Sequence, residues 1–420
     1  MTLKSDINTS VLILGAGTFG LSTAYHLSKS GYKNITVLEK GSSVPSEFSA
    51  GNDLNKIIRA EYEDPFYAEL ALDAIKEWQS PLFAPYYHQN GYLLATSATA
   101  PAKSKATLQR SLSSISSHPA FADQIIPINK RDTISSLVPV FDGPMAWTGY
   151  FNKRAGYAHA ADAMRAVYSA CIALGVTFHL DDGVTEILYS GNKCIGASTA
   201  SGKQYKSPLT IICLGASAAS LIPSIHVQVT GKAWPVAHVA LTPEEAAPLM
   251  GIPVTYARDI GFFFEPDPKT HLLKLCSANA GITNYQSGSR LSVPPTTTQQ
   301  YAFIPTEDEQ LIRRLLRETL PKLADRPLIN KTLCWCADTR DSEYIIDFVP
   351  GKEGLAVISG DSGHGYKMLP VLGKWVKELI EGGEQSKKRW KWKDVKDDGD
   401  VDISWRVGMP QDMKDIKSKI

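Results

Sequence analysis

The feature that most constrains this chain lies near its start. Val11-Leu12-Ile13-Leu14 is an uninterrupted apolar run, the pattern of a strand buried on both faces. Gly15-Ala16-Gly17-Thr18-Phe19-Gly20 follows, then a helical stretch from Leu21 to Lys29 stopped by Gly31. Ile35-Thr36-Val37-Leu38-Glu39 reads as a second strand. Strand, glycine turn, helix and strand within about thirty residues make a βαβ unit, parallel and right-handed. Gly15 permits the tight turn, Gly17 lets backbone approach a pyrophosphate, and Gly20 lets the helix pack close on the strand. The helix N-terminus offers amides and partial positive charge, and Glu39 is placed to accept from ribose hydroxyls. The pattern predicts dinucleotide binding without choosing between a flavin and a nicotinamide.

A chain of 420 residues is too long for one hydrophobic core and points to two domains. Lys+Arg 44 against Asp+Glu 43 leaves a net charge of +1, so no overall field attracts nucleic acid or an anionic membrane. No stretch approaches the ~20 apolar residues of a membrane helix, and Met1 to Ser10 does not read as a signal peptide. The cysteines Cys171, Cys194, Cys213, Cys276, Cys334 and Cys336 are too sparse for a secreted disulfide framework. Cys334 and Cys336 are too close for zinc-ribbon spacing, and no metal site is expected. A reducing compartment follows. Ser418-Lys419-Ile420 resembles the Ser-Lys-Leu peroxisomal address, which places the chain in the peroxisome or, failing that, the cytoplasm.

Further along, Asp64-Pro65 marks a helix start, with Phe66, Leu70, Ala74 and Trp78 on one face. Gly91 to Ala95 reads as a strand, and the polar, Ser-rich Pro101 to Arg131 as surface helix. Ala160 to Gly175 reads as a helix, Val176 to Leu180 as a strand, and Gly183–Ile187 with Cys194–Ala197 as a hairpin. Leu209 to Ala216 is a buried strand ending on small residues. Val236 to Leu275 is β-like, Glu307 to Leu320 an amphipathic helix, and Gly354 to Ile358 a last apolar strand before Gly360–Gly365 and the helix Leu369–Ile380. Dinucleotide-type features at the start, middle and end, with β-rich segments between, predict interleaved domains. The expected division is 1–96, 151–232 and 331–390 for a dinucleotide domain, 97–150 and 233–330 for a substrate domain, and 391–420 as a tail.

Three further constellations stand out. In Ser49-Ala50-Gly51-Asn52-Asp53-Leu54-Asn55-Lys56-Ile57-Ile58-Arg59, Lys56 and Arg59 would face one ligand if the segment were helical; two solvated surface cations is the plainer reading. Cys334-Trp335-Cys336-Ala337-Asp338-Thr339 is read from spacing alone as thiols on a strand. Gly360-Asp361-Ser362-Gly363-His364-Gly365-Tyr366-Lys367 sits between a strand and a helix, where glycines let backbone approach a flat ring system.

With Gly261-Phe262-Phe263-Phe264-Glu265-Pro266, these motifs resemble the family of monomeric sarcosine oxidase, pipecolate oxidase, saccharopine oxidase and the fungal fructosyl amino acid oxidases, or amadoriases. The resemblance runs from Val11 to about Gly383. It implies an α/β fold of the D-amino acid oxidase type, a Rossmann-type FAD-binding domain interleaved with a β-rich substrate domain. It implies FAD held by Gly15, Ala16, Gly17, Thr18, Phe19, Gly20, Glu39, Lys40, Ser49, Lys56, Val184, Gly363, His364, Gly365 and Lys367. The cofactor would be covalent, joined at its 8α-methyl to Cys334 rather than Cys336, since Cys334 lies thirty-three residues before Lys367 as the family spacing requires. Lys274 matches the lysine set over the flavin for reaction with oxygen, with Lys56 beside it, and Arg59 and Lys367 match the cations that hold the substrate carboxylate.

Two departures from the fructosyl enzymes follow. The acidic residue they carry after Lys-x-Cys-x is replaced in Cys276-Ser277-Ala278, and the Trp405-Arg406-Val407-Gly408 tail lacks their longer extension. Phe262, Phe263, Phe264, Trp234 and His238 are candidate pocket walls, or core. The expected activity is therefore oxidation of the C–N bond of a secondary or N-substituted amino acid (of saccharopine, pipecolate or N-methyl type) by a monomer, with O2 reduced to H2O2. The alternatives are a fructosyl amino acid oxidase, a flavin dehydrogenase with a protein acceptor, a nicotinamide dehydrogenase and a non-catalytic binder.

Overall fold

The computed structural model describes residues 5–393 and 408–417. The terminal Ser418-Lys419-Ile420 and the stretch Trp405, Arg406 and Val407 lie outside the described residues.

The apolar runs form a six-stranded sheet in the order Ile345–Phe348, Leu355–Ser359, Leu209–Ile212, Val11–Leu14, Ile35–Leu38, Thr177–His179. Neighbours are parallel except Ile345–Phe348, which is antiparallel to Leu355–Ser359. Val11 lies opposite both Ile35 and Leu209, so the first strand is central and all four of its residues are buried. Helix Thr18–Lys29 packs on helix Leu372–Gly382, where Ser22 Oγ donates to Leu369 O at 2.7 Å and accepts from Gly373 N at 2.9 Å. Gly373 is required there, since a Cβ would lie 2.1 Å from Ser22 O. The start of the chain is thereby fastened to its last large helix.

A ten-stranded sheet makes the second layer. Its path runs Gln411–Asp412, Ile282–Thr283, Val229–Ala240, Leu272–Ser277, Gly261–Phe263, Val254–Ala257, Tyr92–Ser97, Trp147–Asn152, Ile125–Ile128, with Ile329–Thr339 paired to Val229–Ala240. Helix Thr306–Thr319 buries Ile312, Leu315 and Leu316 against Phe263, Leu273 and Leu275 of this sheet. A small sheet of Asn55–Ile58, Gly156–His159 and Tyr87–His88 carries Lys56. Strands Tyr92–Ser97 and Ile329–Thr339 belong to the large sheet, although segments 1–96 and 331–390 were expected in the dinucleotide domain. Residues 411–417 also return to the body, with Met413 and Ile416 buried beside Ile282 and Trp335.

Helix Pro65–Trp78 has Asp64 as N-cap, accepting from Phe66 N, and Pro65 in its first turn. Two sequence expectations are corrected. Lys56 lies in a strand, not a helix, because Asn55–Ile58 pairs antiparallel with Gly156–His159. The Ser-rich segment is not a simple surface helix: Ala102–Ser116 buries Ser104, Thr107, Leu108, Ser111 and Ile115, and strand Ile125–Ile128 follows. Small hydroxyl side chains can be buried on a helix face that lines a cavity, which composition alone does not reveal.

A Cβ at Gly20 would stand 1.9 Å from Gly15 O, whereas one at Gly382 would meet nothing within 4 Å. Gly20→Ala is therefore expected to cost ~1–3 kcal/mol of unfolding free energy by overpacking, and Gly382→Ala to be neutral or slightly stabilising. Denaturant unfolding of both variants checks the contrast; equal effects would refute the packing argument.

Candidate active site

The glycine turn opens a cavity of about 490 Å³. Gly15 has φ +100°, and a Cβ there would press within 2.6 Å of Cys213 O. Gly17 differs: a Cβ would meet only Ser49 Oγ at 3.7 Å, so its surroundings are open for a ligand. Gly17 also caps helix Thr18–Lys29 without a side-chain capping bond, which leaves first-turn amides available to an anion. Glu39 is 7% exposed, and its carboxylate accepts from Ala16 N at 2.9 Å and Gly41 N at 3.0 Å. Those two bonds fix it at the strand end. Thr18, Phe19, Lys40, Ser49 and Val184 complete this wall, with Lys40 Nζ 3.7 Å over the Phe48 ring.

A second cavity of about 260 Å³ lies under the large sheet. Lys56, Cys336, Gly363 and Tyr366 line both cavities, so the two meet there. At the meeting point Asp53 Oδ2 accepts from Lys274 Nζ at 2.6 Å and from Lys56 Nζ at 2.7 Å. Lys274 donates also to Asn55 O at 2.8 Å and lies 5.0 Å from the Phe264 ring centre. Its side chain is only 2% exposed, so the carboxylate is what makes a buried ammonium tolerable. Burial pushes the Asp53 carboxyl up, but Lys274 and Lys56 pull harder and hold it well below the carboxylate range.

Cys334 and Cys336 are on one strand, two residues apart, and so face the same side. A hydrogen bond from the Cys336 thiol brings the Cys334 thiol down against the cost of burial; Lys56, whose Nζ is 3.5 Å from Cys334 Sγ, adds to the shift. The same hydrogen bond, with burial, pushes Cys336 up. The later glycine-rich turn, Gly360–Gly365, is stapled to this strand by Asp361, whose carboxylate accepts from Ala337 N at 2.8 Å and Gly363 N at 3.1 Å. Ser362 and Gly363 have φ of 44° and 73°, a left-handed pair that bends the backbone around the junction.

In the second cavity Arg59 packs its guanidinium over Tyr62, 4.9 Å from the ring centre, and donates to Glu61 O. Lys367 Nζ is 3.0 Å from Tyr62 Oη and 3.3 Å from His364 O. Burial and the neighbouring Arg59 hold the Lys367 ammonium well below its ordinary range. An anion bound between Arg59 and Lys367 would relieve that repulsion. His364 Nδ1 is shared with Tyr344 Oη at 3.0 Å and Tyr62 Oη at 3.2 Å, which fixes the imidazole at the edge of the cavity.

Of the residues picked out in the sequence, Gly15, Gly17, Thr18, Phe19, Glu39, Lys40, Ser49, Val184 and Gly365 line the first cavity; Arg59, Lys274, Cys334, His364 and Lys367 line the second. Ala16 and Gly20 line neither; Ala16 anchors Glu39 and Gly20 seats the helix. Among the proposed walls, Phe262, Phe264 and Trp234 face the second cavity, while Phe263 is core and His238 pairs in register with Lys274 outside the lining. In a strand of period two, Phe263 must point away from Phe262 and Phe264. Sequence reasoning missed Asp53, Tyr62, Tyr92 and Arg258. Asp53 and Tyr62 flank the basic motif; Arg258 precedes the phenylalanine run without any local signal. Among the described residues, no group of His, Cys, Asp and Glu could hold a metal ion, and no helix is long and apolar enough to cross a membrane.

In cofactor-free protein, alkylation of Cys334 is expected to titrate below the free-thiol value of ~8.5, because Lys56 and the Cys336 donor stabilise its thiolate. Lys56→Met should move the midpoint upward. A wild-type midpoint at or above the free-thiol value would contradict this.

The model of the family "FAD dependent oxidoreductase" matches residues 10–379. L-saccharopine oxidase of Schizosaccharomyces pombe is 31% identical over 426 residues, covering 95% of this chain and 96% of that one. Among solved structures, the deglycating fructosamine oxidase Amadoriase II of Aspergillus fumigatus superposes with a TM-score of 0.87 at 34% identity, covering 98% of this chain and 97% of that one. The fructosyl peptide oxidase of E. terrenum superposes with a TM-score of 0.89 at 30% identity, covering 98% of both. With the family model spanning most of the chain, and the glycine turn, Glu39 and the paired cavities in place, this protein belongs to the FAD-dependent oxidoreductase family.

Proposed function

We propose that this protein is an FAD-dependent oxidase of secondary or N-substituted amino acids, taking the C–N bond to an imine that hydrolyses and giving H2O2 from O2. The observation that carries the reading is the joining of the two cavities at Lys56, Cys336, Gly363 and Tyr366, with the Lys274–Asp53–Lys56 cluster at the join. The residues fit FAD. Gly17 is open to a pyrophosphate at a helix start without a side-chain cap, Glu39 is fixed at the end of the next strand and would accept from ribose hydroxyls, and the Ser362–Gly363 bend would let a flat ring approach. FAD, when bound, supplies the two-electron chemistry.

The protein's own side chains supply position and charge. Arg59 and Lys367 hold the substrate carboxylate, the guanidinium through paired donors and the ammonium as a point charge. Phe262, Phe264 and Trp234 exclude water from the amine. Lys274, fixed by Asp53 and Asn55 O, presents a cation to charge developing on oxygen. Cys334, with its thiolate favoured by Cys336 and Lys56, is the residue we assign as the covalent anchor. In this reading the six-stranded sheet binds the cofactor and the large sheet roofs the substrate, the chain acts as a monomer, and Ser418-Lys419-Ile420 directs it to peroxisomes.

The relatives named for fructosyl substrates supply a second reading, a deglycating oxidase. Ala278 lines the second cavity and places no carboxylate there, which disfavours a polyhydroxylated adduct; Arg59 in the same lining favours a plain amino acid end. A peroxide-coupled panel of secondary amino acids and fructosyl amino acids tests the choice. Turnover of the former with little of the latter supports the proposal, and the reverse replaces it.

Acid-precipitated wild-type protein is expected to stay yellow, and Cys334→Ser to release its flavin; a colourless wild-type pellet would rule out the covalent bond. Lys274→Met is expected to slow reoxidation by O2 at least ~100-fold, the scale of a lost electrostatic stabiliser, with a far smaller effect on anaerobic reduction. Equal effects on both half-reactions would contradict its role. Arg59→Ala should raise KM for amino acids by ~10-fold or more, as loss of a charge-assisted pair requires.

A further inference from the structure

The substrate cavity contains a guanidinium that the proposed chemistry does not use. Arg258 follows strand Val254–Ala257, and its backbone N donates to Ala95 O at 2.9 Å, which fixes the root of the side chain. Its Nη2 donates to Ser111 Oγ at 3.1 Å. Its Nε and Nη1 are buried and find no hydrogen-bond partner among the described residues. An arginine cannot shed its charge, and buried donors without acceptors are costly, more so when charged. The cavity that Arg258 lines is where an acceptor can arrive.

The surroundings have the same character. Ser104 and Thr107 line the cavity, and with Ser111 they lie on one face of helix Ala102–Ser116. Ser104 Oγ is likewise buried without a partner. The acids nearby do not satisfy Arg258. Asp259 is engaged by Ser97, at 2.5 Å to its Oγ and 2.9 Å to its backbone N. Glu61 Oε2 accepts from Ala60 N at 3.0 Å, while Glu61 Oε1 and the Nε and Nη1 of Arg258 are left without a hydrogen bond, so the two side chains do not pair. Arg59, Lys367 and Arg258 therefore give one cavity two sources of paired guanidinium donors and a lysine. A substrate with a single carboxylate leaves one of the two guanidinium sites unmatched.

We propose that Arg258, with Ser104 and Thr107, is a subsite for a second carboxylate, and that the substrate is an N-substituted amino acid carrying that acid on its far arm. This rests on the amino acid oxidase reading above, with Arg59 and Lys367 holding the carboxylate next to the reacting nitrogen. The planar fork of Arg258 would take the distal acid through its free Nε and Nη1, and the unpartnered Ser104 hydroxyl would serve one of its remaining lone pairs, with Thr107 beside it in the lining.

The test uses the holoenzyme and matched pairs of N-alkylglycines with and without a terminal carboxylate, over a range of arm lengths. Wild type is expected to favour the acid-bearing member of at least one pair by ~10-fold or more in kcat/KM, the scale of a charge-assisted bond. Arg258→Met should abolish that preference while leaving the plain N-alkyl substrates within about threefold, and Arg258→Lys should keep part of it. Arg59→Ala should weaken both members alike. Calorimetry with unreactive straight-chain dicarboxylates and equal-length monocarboxylates gives a readout independent of turnover: one length should bind ~10-fold tighter as the diacid, and only when Arg258 is present. Oxidation of the plain substrates with no diacid preference at any length, or a preference that survives in folded, flavin-bearing Arg258→Met, overturns the subsite alone. Failure of wild type to oxidise any N-alkylglycine and any member of the secondary amino acid panel overturns the amino acid oxidase reading instead.

Discussion

The structure depends on one carboxylate held between two ammonium groups. Asp53 comes from the loop after the βαβ unit, Lys56 from the strand that follows it, and Lys274 from the middle of the large sheet. A lysine 2% exposed cannot stay charged under a sheet without such a partner. With it, the segment after the glycine turn and the large sheet are tied together at the place where the two cavities join. Cys334 depends on the same cluster, since Lys56 bonded to Asp53 also faces its sulfur.

The first half of this arrangement was legible in the sequence. A glycine fingerprint is a local code: strand, turn, helix and carboxylate follow within one stretch, and each residue type has a backbone reason to be there. Glu39 follows directly on its strand, a Cβ at Gly15 or Gly20 would clash with backbone, and one at Gly17 would meet only Ser49 Oγ at 3.7 Å. The helix beginning at Asp64-Pro65 was readable for the same reason, because a cap and a first-turn proline act locally.

What stayed hidden is what long-range pairing decides. Lys56 and Arg59 were read with helical spacing, yet pairing with Gly156–His159 puts Lys56 in a strand. Asp53 meets Lys274 across more than two hundred residues, and no periodicity links the two. Arg258 carries no local signal in the sequence; its place in the cavity lining beside Ser104 and Thr107, with Nη2 on Ser111 Oγ, is set by the packing of helix Ala102–Ser116. Phe263 was grouped with Phe262 and Phe264 by composition, and strand alternation turned it into the core. Where strands fall between sheets is equally non-local: Tyr92–Ser97 joins the large sheet because Trp147–Asn152 and Val254–Ala257 flank it.

The most direct measurement is the unfolding free energy of cofactor-free Asp53→Asn against wild type. If the shared carboxylate organises the junction, its neutral isostere strands a buried ammonium and lowers stability by ~3 kcal/mol or more. Unchanged stability, with Lys56 and Lys274 still in place, would show that the joint between the Asp53 loop and the large sheet rests on something else.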